Sequence, residues 1–152
     1  MIKQIHDPSA KRRIAREILE ALPDWFEVPE SIERYIAESA MQPCFAAFDG
    51  DRPTGFLFLK RTGADTAELA VMGVLKEYHR HGIGRELFSA AREYAVAAGY
   101  AFLQVKTVRM GVYPEYDVTN RFYRALGFRE FEVIPAIWGP ENPCQIYVMT
   151  LI

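Results

Sequence analysis

Cysteine is scarce in this chain: only Cys44 and Cys144 occur, far apart and outside any metal-ligand spacing. That pattern excludes a disulfide framework and a zinc site, and both thiols are expected as small buried hydrophobes in a reducing cytoplasm. No metal is expected. Long apolar runs are missing too. The N-terminal MIKQIHDPSAKRRIAREI has no stretch of signal-peptide length, and nothing downstream reaches the length of a membrane helix, so no membrane partner is expected. An excess of either charge is also lacking. Lys and Arg total 18 against 20 for Asp and Glu, a formal charge of -2, which argues against nucleic acid as a partner. Repeats, low-complexity tracts and linker-like composition are absent, and 152 residues with 50% hydrophobic side chains are enough for one core. A single domain over residues 1–152 is expected.

What is present has alternating periods. A short strand over 2–5 is followed by Asp7-Pro8-Ser9, a helix start, with Ile14, Ile18, Leu19 and Leu22 on one face until Pro23. A second helix follows Pro29, carrying Ile32, Tyr35, Ile36 and Ala40. Residues 44–49 and 54–61 form a hairpin around Asp49-Gly50-Asp51-Arg52-Pro53, and 66–75, apolar throughout, is expected as a buried central strand. A helix over 84–98 ends at Gly99, a strand follows over 101–108, and the two strands flanking that helix should be parallel. A helix over 117–126 ends at Gly127, and strands over 129–134 and 145–152 close the order βααβββαβαββ. The fold class is α/β, in the α+β sense: a mixed, largely antiparallel sheet with flanking helices.

The stretch EYHRHGIGREL (residues 77–87) puts Gly82 and Gly84 between a buried strand and the first turn of a helix. Unpaired N–H groups and the positive dipole end converge there, and Arg80, Arg85, His79 and His81 add positive charge, so a phosphate fits. A tight strand-to-helix turn with a solvated basic surface is the alternative, and the stretch alone leaves both open. A Rossmann fingerprint would need glycine where Leu87 stands and an acid where Gln104, Val105 and Lys106 stand; a P-loop would need a different glycine spacing and Lys-Ser/Thr. Dinucleotides and nucleoside triphosphates are therefore disfavoured.

Two motifs carry a resemblance. VLKEYHRHGIGRELF (74–88) is similar to the acetyl-CoA loop of the GNAT superfamily of acyl-CoA-dependent N-acetyltransferases, and NRFYRALGF (120–128) resembles that superfamily's C-terminal helix and turn. The tail WGPENPC (138–144) is similar to a bacterial branch of the same superfamily. The resemblance spans essentially the whole chain and implies a GNAT-like sheet with one parallel, splayed strand pair. It implies that backbone groups of Met72 and Val74 bond the pantetheine and thioester of acetyl-CoA. The diphosphate would take the amides of Arg80, His81, Gly82, Ile83, Gly84 and Arg85. His79 stands where Gln or Arg is usual, and Asn120 is expected at the cofactor. Residues 114–117, PEYD, replace a loop that usually carries a cofactor-holding asparagine.

The same resemblance implies the chemistry. A protonated alkyl amine must lose a proton before it attacks a thioester, and Glu68, six residues before Val74, matches a catalytic glutamate; an exposed strand-end carboxylate is the alternative. Tyr123 matches the tyrosine that protonates the departing thiolate, its alternative being a half-buried packing aromatic. The Met72 N–H would meet the oxyanion. Trp25, Phe26 and Tyr35 are expected to wall the acceptor channel, with Tyr113, Tyr116 and Trp138 opposite, although aromatics more often pack cores. Asp24, Glu27, Glu30 and Glu33 would suit a cationic amine, or form a solvated helix end. The expected activity is transfer of acetyl from acetyl-CoA to the primary amine of a small molecule or peptide. A catalytically silent acyl-CoA-binding module is the alternative, and a toxin acting on charged tRNA is disfavoured by the charge balance. Strand pairing across subunits, common in related folds, would give a homodimer.

Overall fold

The structure, a computed structural model, describes residues 1–151. In chain order it runs β1 (Ile2–Ile5), α1 (Pro8–Glu20), α2 (Pro29–Ser39), β2 (Cys44–Asp49), β3 (Arg52–Arg61), β4 (Thr66–Val74), α3 (Ile83–Ala97), β5 (Phe102–Val108), α4 (Pro114–Leu126), β6 (Arg129–Ile134) and β7 (Cys144–Thr150). A single 3-10 turn, Lys76–Tyr78, stands between β4 and α3. Local chemistry accounts for the helix ends. The Asp7 carboxylate accepts from the Ala10 amide at 2.9 Å while Pro8 takes the first turn, where its missing N–H costs nothing. The helix α4 begins at Pro114, about one turn earlier than the sequence reading, because proline is pre-set for that position too. Gly127 closes it at φ 107, a left-handed conformation that favours glycine.

Seven strands form one sheet in the order β1-β2-β3-β4-β5-β7-β6, and every neighbouring pair is antiparallel except β4 and β5. The strand β7 inserts between β5 and β6. One apolar cluster, with Leu87, Phe88, Leu103, Val105, Tyr123 and Tyr147, lies between the sheet and α3 and α4. The other, with Ile14, Ile18, Leu19, Phe56 and Phe58, lies under α1 and α2. Burying each large apolar side chain contributes about 1.5–3 kcal/mol, an upper bound because unfolded chains are already partly compact.

The central strand departs from the expectation of uniform burial, since β4 alternates between buried and half-buried positions. Two features explain this. Leu59 pairs with Leu69 and Phe58 with Val71, which leaves Ala70 as an extra residue and shifts the phase of the side chains. Ala67 and Leu69 therefore pack on the α3 and α4 side, whereas Val71 joins the cluster under α1 and α2. Further, β5 pairs with β4 only at Thr66↔Phe102, Ala67↔Leu103 and Glu68↔Gln104. Past Glu68 the strands part, β4 continuing against β3 and β5 against β7. The gap opens beside Met72 and Val74.

Candidate active site

The chain enters the site through a tightly bonded turn. The Tyr78 hydroxyl donates to Asp49 at 2.7 Å, and the Tyr78 and His79 amides donate to Leu75 and Lys76 at 2.9 and 3.1 Å. Arg80 (φ 65) and Gly82 (φ 77) then take left-handed conformations, and Gly82 caps α3. No side chain caps this helix, in contrast to α1, and its first backbone bond runs from the Glu86 amide to the Gly82 carbonyl at 3.0 Å. Among the described residues the amides of Arg80, His81, Gly82, Ile83, Gly84 and Arg85 donate to no protein acceptor. The side chains of Arg80, His81 and Arg85 are exposed, and the two arginines form no ion pair among the described residues. Free amides, a helix dipole and exposed cations are the features by which a helix start can receive an anion.

The two glycines have different reasons. A Cβ on Gly82 would meet nothing within 4 Å, so its demand is the positive φ. A Cβ on Gly84 would come within 2.9 Å of Met72 Cε and 3.0 Å of Phe122 Cζ, so this glycine lets α3 close onto β4 and α4. Met72, expected at the thioester, thus has its side chain beneath the first turn of α3.

His79 sits at the join of two predicted surfaces. Its Nε2 lies 2.7 Å from the Val74 carbonyl at the end of β4, and its ring meets Trp25 edge-on with centroids 5.9 Å apart. Trp25 is fixed in turn by α4: its Nε1 donates to the Glu115 carbonyl at 3.4 Å, and the Tyr116 hydroxyl donates to the Trp25 carbonyl at 3.0 Å. Phe26 packs edge-on to Tyr35 at 6.3 Å, and Tyr113 lies 6.0 Å from Tyr116. Five of the six aromatics expected at the acceptor therefore fall into two groups, Trp25 with Tyr116 and Tyr113, which links the loop to α4, and Phe26 with Tyr35. Trp138 lies between β6 and β7, 42% exposed, outside every aromatic pair among the described residues. Two of the four carboxylates near Trp25 are committed. Asp24 pairs with Lys76 at 2.5 Å, and Glu33 takes Arg16 through both oxygens at 2.8 Å.

Glu68 stands where β4 and β5 separate, and its Oε1 accepts from Lys106 Nζ at 2.7 Å. Lys106 escaped the sequence reading because the β4–β5 register that sets it beside Glu68 is non-local. Tyr123 is 8% exposed, among Phe122, Phe128 and Tyr147. Burial first, and Tyr116 second, push its phenol well above the ordinary tyrosine range. Its hydroxyl has no hydrogen-bond partner among the described residues. Tyr116 is pushed up to about 12, again chiefly by burial, with Tyr35, Glu115 and Glu27 adding to it.

Asn120 departs from expectation. It is 0% exposed, its amide nitrogen donates to the Val108 and Tyr116 carbonyls at 2.8 and 2.6 Å, and its oxygen accepts from the Tyr147 hydroxyl at 2.6 Å. With both N–H groups satisfied and no surface, Asn120 ties α4 to β5 and β7 instead of facing a cofactor. Thr107 Oγ1, buried on β5 after that strand has left β4, has no hydrogen-bond partner among the described residues.

A family model described as acetyltransferase (GNAT) family matches residues 11–128. Among solved structures, the chain is similar to one described as an acetyltransferase of the GNAT family from Desulfovibrio desulfuricans, at 21% identity and TM-score 0.85, covering 100% of this chain and 99% of that one. It is similar to the aminoglycoside 6'-N-acetyltransferase of Enterococcus faecium at 19% identity and TM-score 0.78, over 100% and 97%. A Salmonella typhimurium protein described as an acetyltransferase, solved with its cofactor acetyl-CoA, is similar at 17% identity and TM-score 0.76, over 100% and 94%. At these identities the superpositions establish the fold. No curated protein sequence matches this chain.

Proposed function

The chain belongs to the acetyltransferase (GNAT) family, acetyl-CoA-dependent acyltransferases, and from that membership we propose that it acetylates the primary amine of a small molecule or peptide by direct attack within a ternary complex. The observation that carries this reading is the uncapped start of α3, with its free amides, beside a strand whose outer edge is open past Glu68. The coenzyme's diphosphate takes those amides, and the pantetheine arm runs along Met72 and Val74, where His79 would release the Val74 carbonyl.

In this reading the Glu68 carboxylate accepts the amine proton, directly or through water, as the nitrogen bonds to the acetyl carbon. The Met72 N–H meets the oxygen as it gains charge, and as the carbon–sulfur bond breaks the Tyr123 O–H gives its proton to the thiolate. Trp25, Phe26, Tyr35, Tyr113 and Tyr116 line the acceptor side. The acetyltransferase of similar fold from Enterococcus faecium acts on aminoglycosides, which brings that class into the test panel. The test is release of free coenzyme A thiol from acetyl-CoA against monoamines, polyamines, aminoglycosides and peptides. Thiol release dependent on one class of amine is expected. Binding of acetyl-CoA with no release against any amine would replace this reading with the silent binding module.

A further inference from the structure

Resting on the reading of Glu68 as the base, we propose that Lys106 is a positioning residue for acetyl transfer, bracing the mouth of the gap between β4 and β5 and orienting the Glu68 carboxylate within it. The parallel pairing ends at Glu68↔Gln104. Same-face residues on a strand are two apart, so Lys106 is the next side chain on the face of Gln104, at a position where β5 has already left β4. Its Nζ reaches back to Glu68 Oε1 at 2.7 Å. The ion pair therefore runs from the last paired position to the first position on that face past the separation.

The sheet makes this location consequential. Strands β1 to β4 form one antiparallel half and β5, β7 and β6 the other, joined through the short parallel stretch that ends at Glu68. Lys106 is itself held in register by β7, opposite Ile146, so its bond to Glu68 ties the two halves together. The pair is also unlike the others. The Glu68 side chain is 12% exposed and that of Lys106 32%, whereas every other described ion pair has both partners close to half exposed or more. A screened surface pair holds no geometry, while an enclosed one fixes both side chains. Lys60, the cross-strand neighbour of Glu68 on β3, forms no described ion pair, so Lys106 is the cation that sets this carboxylate. With Oε1 occupied, Oε2 is the oxygen left to face an amine or a water.

A double-mutant cycle on kcat tests this, with Lys106→Met and Glu68→Gln separately and combined, and acetyl-CoA affinity measured by calorimetry throughout. Lys106→Met is expected to lower kcat about tenfold while acetyl-CoA affinity changes less than about twofold, and Lys106→Arg to stay within about threefold of the parent. In the Glu68→Gln background, Lys106→Met should cost less than about twofold more, because the lysine acts through the carboxylate. Where Lys106→Met melts early, Lys106→Gln serves in its place. An equal kcat loss from the lysine substitution in both backgrounds, or none in the parent, overturns the proposal and leaves the base reading standing. Unchanged kcat in Glu68→Gln overturns both.

Discussion

Burial holds the Tyr123 phenol above the ordinary tyrosine range, with Tyr116 adding to the effect, so its O–H persists at any pH near neutrality. A phenol packed among Phe122, Phe128 and Tyr147 is also fixed in direction, which a proton donor needs and a surface tyrosine lacks. Tyr123→Phe removes the oxygen and keeps the ring, so the core survives. The expected result is a fall in kcat of about a hundredfold with acetyl-CoA affinity intact, read by steady-state kinetics and calorimetry. Undiminished turnover would reduce Tyr123 to a packing residue. Asn120 shows the converse at the same scale. It shares a motif with Tyr123, yet its polar atoms are engaged by Val108, Tyr116 and Tyr147, something a motif does not disclose.

Among the helices, α3 is set apart by its start, because Gly82 begins it in a left-handed turn where the N-cap residues of α1, α2 and α4 are extended. Gly82→Ala adds a methyl into open space, so any loss comes from the backbone. That cost is about 1–2 kcal/mol for an alanine held left-handed. The expected result is a melting temperature lower by several degrees and acetyl-CoA affinity weakened about tenfold, as the amides swing off their common point. Unchanged affinity in a destabilised variant would separate the loop's conformation from its binding. Most elements were legible from the sequence. Period-3.6 stripes, Pro8 and Pro29 at helix starts and Gly127 at a helix end act over one or two turns, so the order βααβββαβαββ emerges without tertiary information. What stayed hidden depends on strand register. The extra residue Ala70, the half-burial of β4 and the Glu68–Lys106 pair all follow from which residue of a distant strand lies opposite, and no local pattern encodes that. The aromatics were legible as residues, and their linkage through Trp25 and Tyr116 was not.

For the whole molecule, two antiparallel half-sheets meet along a short parallel seam, and the seam opens toward the unguarded end of α3. His79 touches both sides of the junction: its nitrogen is on the Val74 carbonyl and its ring is against Trp25, so the end of β4 and the loop that carries Trp25 share one side chain. Every catalytic assignment presumes that acetyl-CoA lies in this opening. Isothermal titration of the protein with acetyl-CoA, repeated on Gly82→Ala, measures that directly. The account predicts one site per chain with micromolar affinity, weakened in the variant. An absence of binding heat and of thermal stabilisation at millimolar acetyl-CoA would contradict it.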